Sequence, residues 1–343
     1  MIYSIFPKHT ATVYSRYPKM NTSKDEILEL NKTVSSSLLA ITSNTKILLD
    51  FALAEHSASN SASGITPTKY DLTLYTANMN TPMESFTYRV SDVQNAWGPG
   101  LGRSTHNPQT QVGVCWAGPL NPNNSWSSPY YPIPAYPSNN TTGSLVTDLK
   151  ANVTSLVLAT EVSTGSDNGL LISRTDEEES DGNPYGYVNF YSTETSTVYR
   201  PRLFVSYDDY SSNTGSLTAL DINKEYYVYQ SANQGTYKIN SAPKFRFTGR
   251  EKYPTATYTA STAALVEYLP TSSYYSLVDV RTGETVVPFD TTYTKISCDA
   301  TGNFANLKLS GLYTERLYQF HIRIDHDGTK DYHILDDMFR VYE

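Results

Sequence analysis

Short runs in which apolar and polar side chains alternate recur along most of this chain, and they limit the fold more than any other feature. Residues 70–76 (YDLTLYT) and 86–93 (FTYRVSDV) are two clear examples. Successive side chains of an extended strand point to opposite faces, so each run would present one largely apolar face. Several such runs separated by turn residues predict a β-sandwich or a β-barrel.

The amino-acid composition favours strands and turns over helices. The chain has 29 Tyr against 11 Phe and 3 Trp, and hydrophobic residues make up 39% while charged residues make up 17%. Tyr and Thr suit a half-buried pleated surface, and Ser and Asn suit turns. The tyrosines can fill sheet faces, or they can form an adhesive or assembly surface, because Tyr gives a large contact area with few rotatable bonds. Alternation along strands leaves both roles open.

Charge and cysteine content argue against several classes of function. The net charge is −8, the pI is about 5.3 and no basic stripe is present, so nucleic acid is not an expected partner. Cys115 and Cys298 form no CxxC pair and are expected to be buried free thiols. No run reaches the length of a membrane span and the first residues resemble no secretion signal. We therefore expect synthesis in a cytosol and no membrane insertion.

The distribution of strand-like runs predicts an all-β protein of two domains. A chain of 343 residues has room for two or three domains. We place a jelly-roll-like β-sandwich at residues 1–209, a linker at 210–219 and an immunoglobulin-like β-sandwich at 220–343. The second domain is predicted from short strands at close and regular spacing.

Three segments carry more specific predictions of secondary structure. Residues 25–32 (DEILELNK) are predicted to form a strand, with the following run KILLDFAL as its partner. Residues 55–66 are small and polar, and they are predicted to form a surface loop. Residues 153–159 are predicted to form one or two helical turns, capped by Asn152 or Thr154.

Residues 97–140 break the alternation and gather many of the proline, glycine and asparagine residues, together with all three tryptophans. Long segments of this kind are usually functional, or they are packed down by their own side chains. The aromatic side chains could pack the segment onto its own sandwich, anchor a subunit interface or stack on sugar rings, and we rank these roles in that order. The candidate binding residues are Trp97, Trp116, Trp126, Tyr130, Tyr131 and Tyr136.

Acidic residues give a weak indication of a metal site. The segment 176–183 (DEEESDGN) is predicted to be a loop, and it contains the calcium candidates Asp176, Glu178 and Asp181. Its spacing fits no EF-hand, so a solvated loop is the favoured interpretation.

A second weak indication lies near the C-terminus, where Asp327 and Gly328 separate two alternating runs. Asp-Gly between strands is a hairpin signal, which we favour over a calcium loop. His321 and His333 could face each other across that hairpin with His326 at the turn, but surface or cross-strand histidines are the better interpretation. The sequence therefore predicts no cofactor.

Motifs of the common enzyme classes are absent from the sequence. The chain has no GxSxG, no GxxxxGK[ST] and no GxGxxG at a strand–helix junction. The paired carboxylates of a glycosidase can be distant in sequence, so that class stays open but without support. These observations predict a protein that works by packing and binding rather than by catalysis.

A series of segments in the first 209 residues carries a family resemblance. The segments are DEILELNKT, KILLDFAL, TKYDLTLYTA and VSDVQNAWGPGLGR with NPQTQVGVCW, followed by NGLLISRT and NFYSTETSTVYRPRLFVSYDD. Their order resembles that of the DNRLRE-type β-sandwich domain over about residues 8–209. Such domains occur in cell-surface and secreted proteins as non-catalytic adhesive modules, so the resemblance implies a binding module.

The C-terminal part carries a second resemblance. Its segments are GREKYPTATYTAST, YLPTSSYYSLVDVRTGETVVPFDTTYTKISCDATGNF and LSGLYTERLYQFHIRI. Over roughly residues 243–343 they look like virion structural proteins of tailed phages, particularly marine T4-like ones. The resemblance implies a component of the neck, tail or baseplate that is made in the host cytoplasm and located in the virion.

Two main hypotheses follow from these resemblances. The first is a non-catalytic structural protein of the virion that contacts other virion proteins and copies of itself. The second is a glycan-binding adhesin or receptor-recognition module, which would bind a host-surface glycan with Trp97, Trp116 and Trp126 as stacking platforms.

Overall fold

Strands dominate the computed structural model of the chain, and this confirms the all-β prediction. The residues form two units, Ile5–Phe204 and Met1–Ser4 together with Val205–Glu343, here called the N-terminal and the C-terminal unit. The residues that the structure describes are 1–35, 41–63, 66–80, 85–106, 112–126, 135–144, 148–163, 168–212, 215–253 and 267–343.

Twelve strands and three α-helices are described between residues 2 and 206. The strands are β1 (Ile2–Ile5), β2 (His9–Tyr14), β3 (Ile27–Val34), β4 (Ile41–Asp50), β5 (Lys69–Leu74), β6 (Thr76–Asn80), β7 (Ser85–Val93), β8 (Ala135–Ser144), β9 (Leu149–Asn152), β10 (Leu170–Arg174), β11 (Gly186–Tyr191) and β12 (Arg202–Ser206). The helices are α1 (Leu53–Ser63), α2 (Thr154–Ser163) and α3 (Asp176–Ser180), and a 3₁₀ turn covers Ser104–His106.

Strands β1–β12 form two sheets. One sheet has the order β1–β12–β5–β9, and the other has the order β6–β11–β3–β4–β10–β7–β8 with β2 also paired to β4. The neighbours β3, β4, β10 and β7 are antiparallel. The Tyr88 hydroxyl on β7 donates to the backbone oxygen of Lys150 on β9 at 3.0 Å, which ties the two sheets together.

The alternating runs bury the faces that their sequences predict. Leu28 and Leu30 on β3 are buried, and so are Tyr70, Leu72 and Leu74 on β5. Burial of each such side chain contributes roughly 1.5–3 kcal/mol to folding. Strand β3 pairs antiparallel with β4, as predicted for neighbouring strands, but its register partners are residues 41–44. The run expected as its partner begins at Lys46 and pairs instead with β2 and β10.

Helix α1 corrects the loop predicted for residues 55–66. Of its side chains that the structure describes, Leu53, His56 and Asn60 are buried, and they are three or four residues apart as one helix face requires. Asn60 Nδ2 lies 2.8 Å from His56 Nε2, and the His56 ring packs edge-on against Tyr70. Because the buried face is largely polar, no apolar periodicity marks this helix in the sequence.

The other two helices differ in how clearly the sequence marks them. Helix α2 confirms the helical turns predicted at 153–159, and the Asn152 side-chain oxygen accepts from the Thr154 N–H at 3.0 Å. Helix α3 corrects the loop predicted over the acidic segment. Thr175 caps α3 by accepting from the Glu178 N–H at 3.3 Å, and the acidic first turn suits the positive end of the helix dipole. Among the described residues, no helix combines the length and the apolar character needed to cross a membrane.

The C-terminal unit is built from β13 onwards. Its strands are β13 (Thr218–Ala219), β14 (Tyr226–Ala232), β15 (Thr236–Lys238), β16 (Lys244–Glu251), β17 (Glu267–Tyr268), β18 (Ser273–Asp279), β19 (Thr285–Val287), β20 (Ser297–Asp299), β21 (Gly302–Asn306), β22 (Arg316–His326) and β23 (Thr329–Tyr342), with a 3₁₀ turn at Leu309–Gly311. One sheet has the order β13–β17–β16–β21–β20 with β14 also paired to β16. The other has the order β15–β23–β22–β18–β19.

An aromatic core joins these two sheets. Phe245 and Phe247 on β16 lie 4.9 and 5.2 Å from Phe320 on β22, measured between ring centroids. Phe339 on β23 lies 4.8 Å from Phe245, and all four side chains are buried. Edge-on and tilted aromatic pairs add to the stabilisation that burial alone gives. The C-terminal unit is therefore a two-sheet structure, while the finer jelly-roll and immunoglobulin-like labels stay predictions.

The first residues of the chain belong to the C-terminal unit, which the sequence does not indicate. The Met1 ammonium donates to the Tyr207 backbone oxygen at 2.8 Å and forms an ion pair with Asp209. The Tyr3 ring stacks on the Tyr207 ring at 5.7 Å between centroids. These contacts join residues that are about 200 positions apart, so no local pattern predicts them.

The predicted linker at 210–219 is held by the same unit. The Ser211 backbone oxygen accepts from the Cys298 N–H at 2.9 Å, and the last two residues of the segment form β13. Cys115 and Cys298 are both buried free thiols, as predicted. Burial raises the pKa of each thiol, which keeps it in the less reactive protonated form.

Candidate functional site

The tryptophan-rich segment after β7 is packed into the N-terminal unit. Trp116 and Trp126 are only 6% and 9% exposed, and they share a core cluster with Val13, Val114 and Leu171. The Trp126 indole N–H donates to a backbone oxygen 3.2 Å away, so its single polar atom is satisfied. The packing role, which ranks first among the three roles considered, therefore has geometric support for both side chains.

The remaining aromatic candidates are only partly described. Trp97 packs against the same cluster, and its indole N–H donates to the Asn168 backbone oxygen at 2.8 Å. Tyr130 and Tyr131 lie outside the described residues, and Tyr136 lies on β8 with its side chain outside them. An indole that core residues cover has no free face for a sugar ring, so the two buried tryptophans do not suit the stacking role. A binding role for the other candidates stays a prediction.

Asn21, buried before β3, organises the backbone of this segment. Its Nδ2 donates to the backbone oxygens of Pro99 and Val114 at 2.7 and 2.8 Å, and its Oδ1 accepts from the Gly102 N–H at 2.7 Å. One side chain thus bonds three backbone groups, of which the Pro99 oxygen also accepts from the Ser23 hydroxyl, and it satisfies the buried Val114 and Gly102 groups. The sequence does not single out Asn21, because its partners lie far along the chain.

Two glycines allow the backbone to approach Asn21 this closely. Gly100 and Gly113 have φ of 75° and 133°, which other residues adopt only with strain. A Cβ on Gly100 would lie 2.3 Å from the Val112 oxygen, and one on Gly113 would lie 2.6 Å from Asn21 Nδ2. Glycine is therefore required at both positions by close packing.

Cations on four neighbouring strands meet the acidic helix α3. Strands β3, β4, β10 and β7 lie side by side in that order, and each contributes one cation. The four ion pairs, here called the charge ladder, are Lys32–Asp181 at 2.5 Å, Lys46–Glu179 at 2.9 Å, Arg174–Glu178 at 3.5 Å and Arg89–Asp176 at 2.6 Å. The carboxylates follow the order of the strands, so the helix crosses the sheet over a row of cations.

The charge ladder includes cationic side chains that are buried. The side chains of Lys32 and Arg174 are 0% and 1% exposed. The Tyr185 ring covers both, with its centroid 5.1 Å from Lys32 Nζ and 4.9 Å from the guanidinium carbon of Arg174. Removal of one partner from a buried ion pair leaves an uncompensated charge and costs about 3–5 kcal/mol. The acidic segment therefore stabilises the fold by neutralising the cations of the sheet.

Hydrogen bonds determine the protonation of Asp181. Burial alone would raise the pKa of its carboxyl, but hydrogen bonds from Lys32, Tyr185 and Asn183 outweigh burial and hold the pKa well below its usual range. The Tyr185 hydroxyl donates to Asp181 Oδ2 at 2.6 Å. Burial, reinforced by this hydrogen bond, raises the pKa of Tyr185 to about 12. Near neutral pH the carboxylate is charged and the phenol is neutral.

The charge ladder corrects the calcium interpretation of Asp176, Glu178 and Asp181. Each of these carboxylates points to a different protein cation, so the three do not surround one ion. Calcium needs roughly six to eight converging oxygen ligands. Over the described ranges, no group of three or more His, Cys, Asp or Glu side chains is placed to hold a metal.

The predicted C-terminal hairpin is confirmed, and its register separates the histidines. Asp327 and Gly328 have φ of 47° and 78°, as the favoured tight hairpin turn requires. His321 and His333 occupy adjacent register positions of β22 and β23, so they point to opposite faces of the sheet. The metal site considered for these two histidines does not form.

This hairpin sheet exposes apolar side chains on its outer face. Along β22, Tyr318, Phe320 and Ile322 point into the core, so the alternate residues point outward. The register of β22 with its two neighbours places five exposed apolar side chains outward. These residues, here called the outer patch, are Val280, Leu317, Tyr332, Ile334 and Met338.

Arg323, which is 8% exposed, lies beside Tyr332 at one end of the outer patch and is held rigidly. Its guanidinium carbon lies 4.6 Å from the Tyr274 ring centroid and 5.3 Å from that of Phe289. Arg323 also forms an ion pair with Asp325 at 2.8 Å, and Phe289 packs edge-on against Tyr332. An arginine held in this way loses little freedom when a partner binds, so the surface is preorganised.

The sequence contains a signal for the outer patch that alternation alone does not reveal. Outward positions of a sheet with one solvated face are expected to be polar. The runs RLYQFHIRI and DYHILDDMFRVY nevertheless carry Leu317, Tyr332 and Ile334 at outward positions, in addition to the apolar residues of the core face. Strands with apolar residues on both faces indicate a second buried surface.

No protein-family profile matches the chain, and no curated protein is significantly similar to it. The outer patch and the packed segments are therefore interpreted from their own geometry and chemistry.

Proposed function

We propose that this chain is a non-catalytic structural protein of a tailed-phage particle, in its neck, tail or baseplate, which assembles through protein–protein contacts. The outer patch carries this proposal, because Tyr332 and Ile334 are 60% and 64% exposed on one face of a sheet. Apolar side chains that gather on one face indicate an interaction surface, whereas scattered ones do not.

The chemistry of the outer patch suits a protein partner. Aromatic residues and Met are enriched in the cores of protein interfaces, and the patch contains Tyr332 and Met338, with the buried Arg323 beside Tyr332. Full burial of one large apolar side chain contributes roughly 1.5–3 kcal/mol. The expected partner is another particle protein or a copy of this chain. The type of particle is inferred from the resemblance over residues 243–343, which contain the whole patch.

The polar side chains of the charge ladder and of Asn21 form structural contacts, and this supports a non-catalytic structural protein. The charge ladder pairs each of its cations with a carboxylate, and Asn21 bonds three backbone groups. Both thiols are buried with a raised pKa. These groups stabilise the fold, and their roles require no substrate.

An infection in which a tagged copy replaces the chain tests the proposal. Purified particles should contain the wild-type chain, as detected by mass spectrometry. The double variant Tyr332→Glu with Ile334→Glu should reduce the amount in particles by at least about tenfold, because an interface cannot desolvate two unpaired carboxylates. Both side chains are exposed, so the variant should keep the wild-type unfolding temperature.

The matched control is Tyr253→Glu, which changes an exposed tyrosine outside the outer patch. This variant should enter particles as the wild-type chain does. The proposal fails if purified particles lack the wild-type chain, or if the chain is recovered only from the host surface.

A further inference from the structure

A cleft of about 620 Å³ opens at one edge of the C-terminal unit. It lies beside the edge strand β15 and the start of β16, and the end of β23 contributes to its wall. Clefts of roughly 300–1,000 Å³ have the size that binds small ligands. The lining residues on which a ligand would depend are Asn233, Gln234, Tyr237, Lys238, Lys244 and Tyr342.

The floor of the cleft is rigid. The Tyr237 ring packs edge-on against Phe245 and Phe339, at 5.1 and 5.6 Å between centroids. The Tyr237 hydroxyl accepts from the Gln234 backbone N–H at 3.0 Å, and Asn233 Nδ2 donates to a backbone oxygen of β23 at 3.0 Å. A floor that is fixed before binding reduces the entropy lost when a ligand is held.

The groups that face a ligand in the cleft are cationic and aromatic. Lys238 and Tyr342 are register partners on β15 and β23, and both are exposed. Lys244 Nζ lies 4.1 Å from the Phe304 ring centroid and 3.7 Å from Asp299, whose carboxylate is held more closely by Arg246 at 2.6 Å. The lining contains two lysines and no Asp or Glu, although the chain carries a net charge of −8. The local potential therefore favours an anionic ligand.

We propose that this cleft binds an acidic saccharide, a short segment of a uronate-containing polysaccharide. The carboxylate would pair with Lys238, Lys244 would add positive charge nearby, and the C–H face of a sugar ring would lie on Tyr342. Amide groups of Asn233 and Gln234 suit sugar hydroxyls, which both donate and accept.

The lining favours a saccharide over an acidic peptide. Its aliphatic side chains are small, two alanines and one proline, so no recess is present for an apolar peptide anchor. None of the outer-patch residues lines the cleft. Saccharide binding would therefore be a second function, at the end of β23, where Tyr342 points to the same outward face as Met338 of the outer patch.

Isothermal titration calorimetry of the full chain with tetramannuronate tests the proposal, with neutral mannotetraose in parallel. The acidic tetramer should bind saturably and the neutral one should bind much more weakly, and added salt should weaken binding of the acidic form. Lys238→Glu and Tyr342→Ala should each weaken binding by at least about tenfold. Because both side chains are exposed, both variants should fold normally, which their unfolding temperatures will show.

Lys330→Glu is the matched control, because it makes the same charge change at an exposed lysine of the β22–β23 hairpin. This control and Tyr332→Glu should both bind tetramannuronate as the wild type does. The proposal is overturned if tetramannuronate gives no saturable heat, if mannotetraose binds equally well, or if Lys238→Glu behaves like Lys330→Glu. Tighter binding of tetra-aspartate than of tetramannuronate would also overturn it, in favour of a peptide ligand.

Discussion

Single polar side chains join segments of this chain that are distant in sequence, and Asn21 shows how much can depend on one of them. It bonds backbone groups of Pro99, Gly102 and Val114, where Gly100 and Gly113 make room for it. The glycines are visible in the sequence as breaks in the pattern, but the residue that they accommodate is not. Its burial depends on tertiary contacts, which no local periodicity encodes.

Asn21→Ala is expected to lower the free energy of unfolding by about 2–4 kcal/mol, because each orphaned buried backbone group costs about 1–3 kcal/mol. The control is Asn123→Ala, at an exposed position of the tryptophan-rich segment that Asn21 holds. It should change the free energy of unfolding by less than about 0.5 kcal/mol. Equilibrium unfolding in urea measures both values. Similar losses in the two variants would contradict the role assigned to Asn21.

Asp299 provides a prediction of pH dependence. Two hydrogen bonds from Arg246, at 2.6 and 2.8 Å, are the main cause that lowers the pKa of its carboxyl to about 2 from the ordinary 3.8. Because the folded pKa is below the unfolded one, the ionised carboxylate stabilises the fold above the unfolded pKa, and this contribution is lost as the pH falls through the folded pKa. Asp299→Asn should be less stable than the wild type at about pH 7.

This difference in stability should shrink below about pH 4 and vanish near about pH 2. Urea unfolding of both chains across that range measures it. A stability difference that stays constant with pH would show that the loss comes from packing rather than from the charge of Asp299.

At the scale of elements, strands were more predictable than helices. Alternation identifies β3, β5 and β7 because one face of each is apolar. It misses α1, whose buried face contains His56 and Asn60, and α3, which is stabilised by cations from four strands. An acidic segment read alone resembles a solvated loop, because the charges that neutralise it are supplied by the tertiary structure.

The charge ladder predicts unequal effects for two carboxylates of the acidic segment, Glu177 within α3 and Asp181 at its C-cap. Asp181→Asn should cost about 3–5 kcal/mol, because the buried Lys32 would keep its charge without a carboxylate, with only the backbone oxygens of Glu178 and Asp181 left as acceptors. Glu177→Gln, at an exposed position, should cost less than about 0.5 kcal/mol. Adding Lys32→Met to Asp181→Asn should restore part of the loss, since no uncompensated charge then remains. Urea unfolding of the four chains measures these values, and equal effects of Asp181→Asn and Glu177→Gln would rule out a structural ladder.

At the scale of the whole molecule, the all-β class follows from local patterns, whereas the grouping of residues into units does not. The sequence places a boundary after residue 209, while the units divide at Phe204 and Val205 and the first four residues join the C-terminal one. The Met1–Asp209 ion pair and the Tyr3–Tyr207 stack that hold them are long-range contacts. The aromatic segment, for which packing ranks first among the roles considered, is mainly packed where it is described, and the outer patch lies on the C-terminal hairpin sheet.

The most direct test of the proposed function is an electron cryomicroscopy map of purified particles that contain the chain. The outer patch should be covered by a neighbouring protein in the fitted map, with Tyr332 and Ile334 buried against it and Arg323 still between Tyr274 and Phe289. An outer patch that faces solvent in the assembled particle, or a map in which the chain has no density, would contradict the assignment of this surface to assembly.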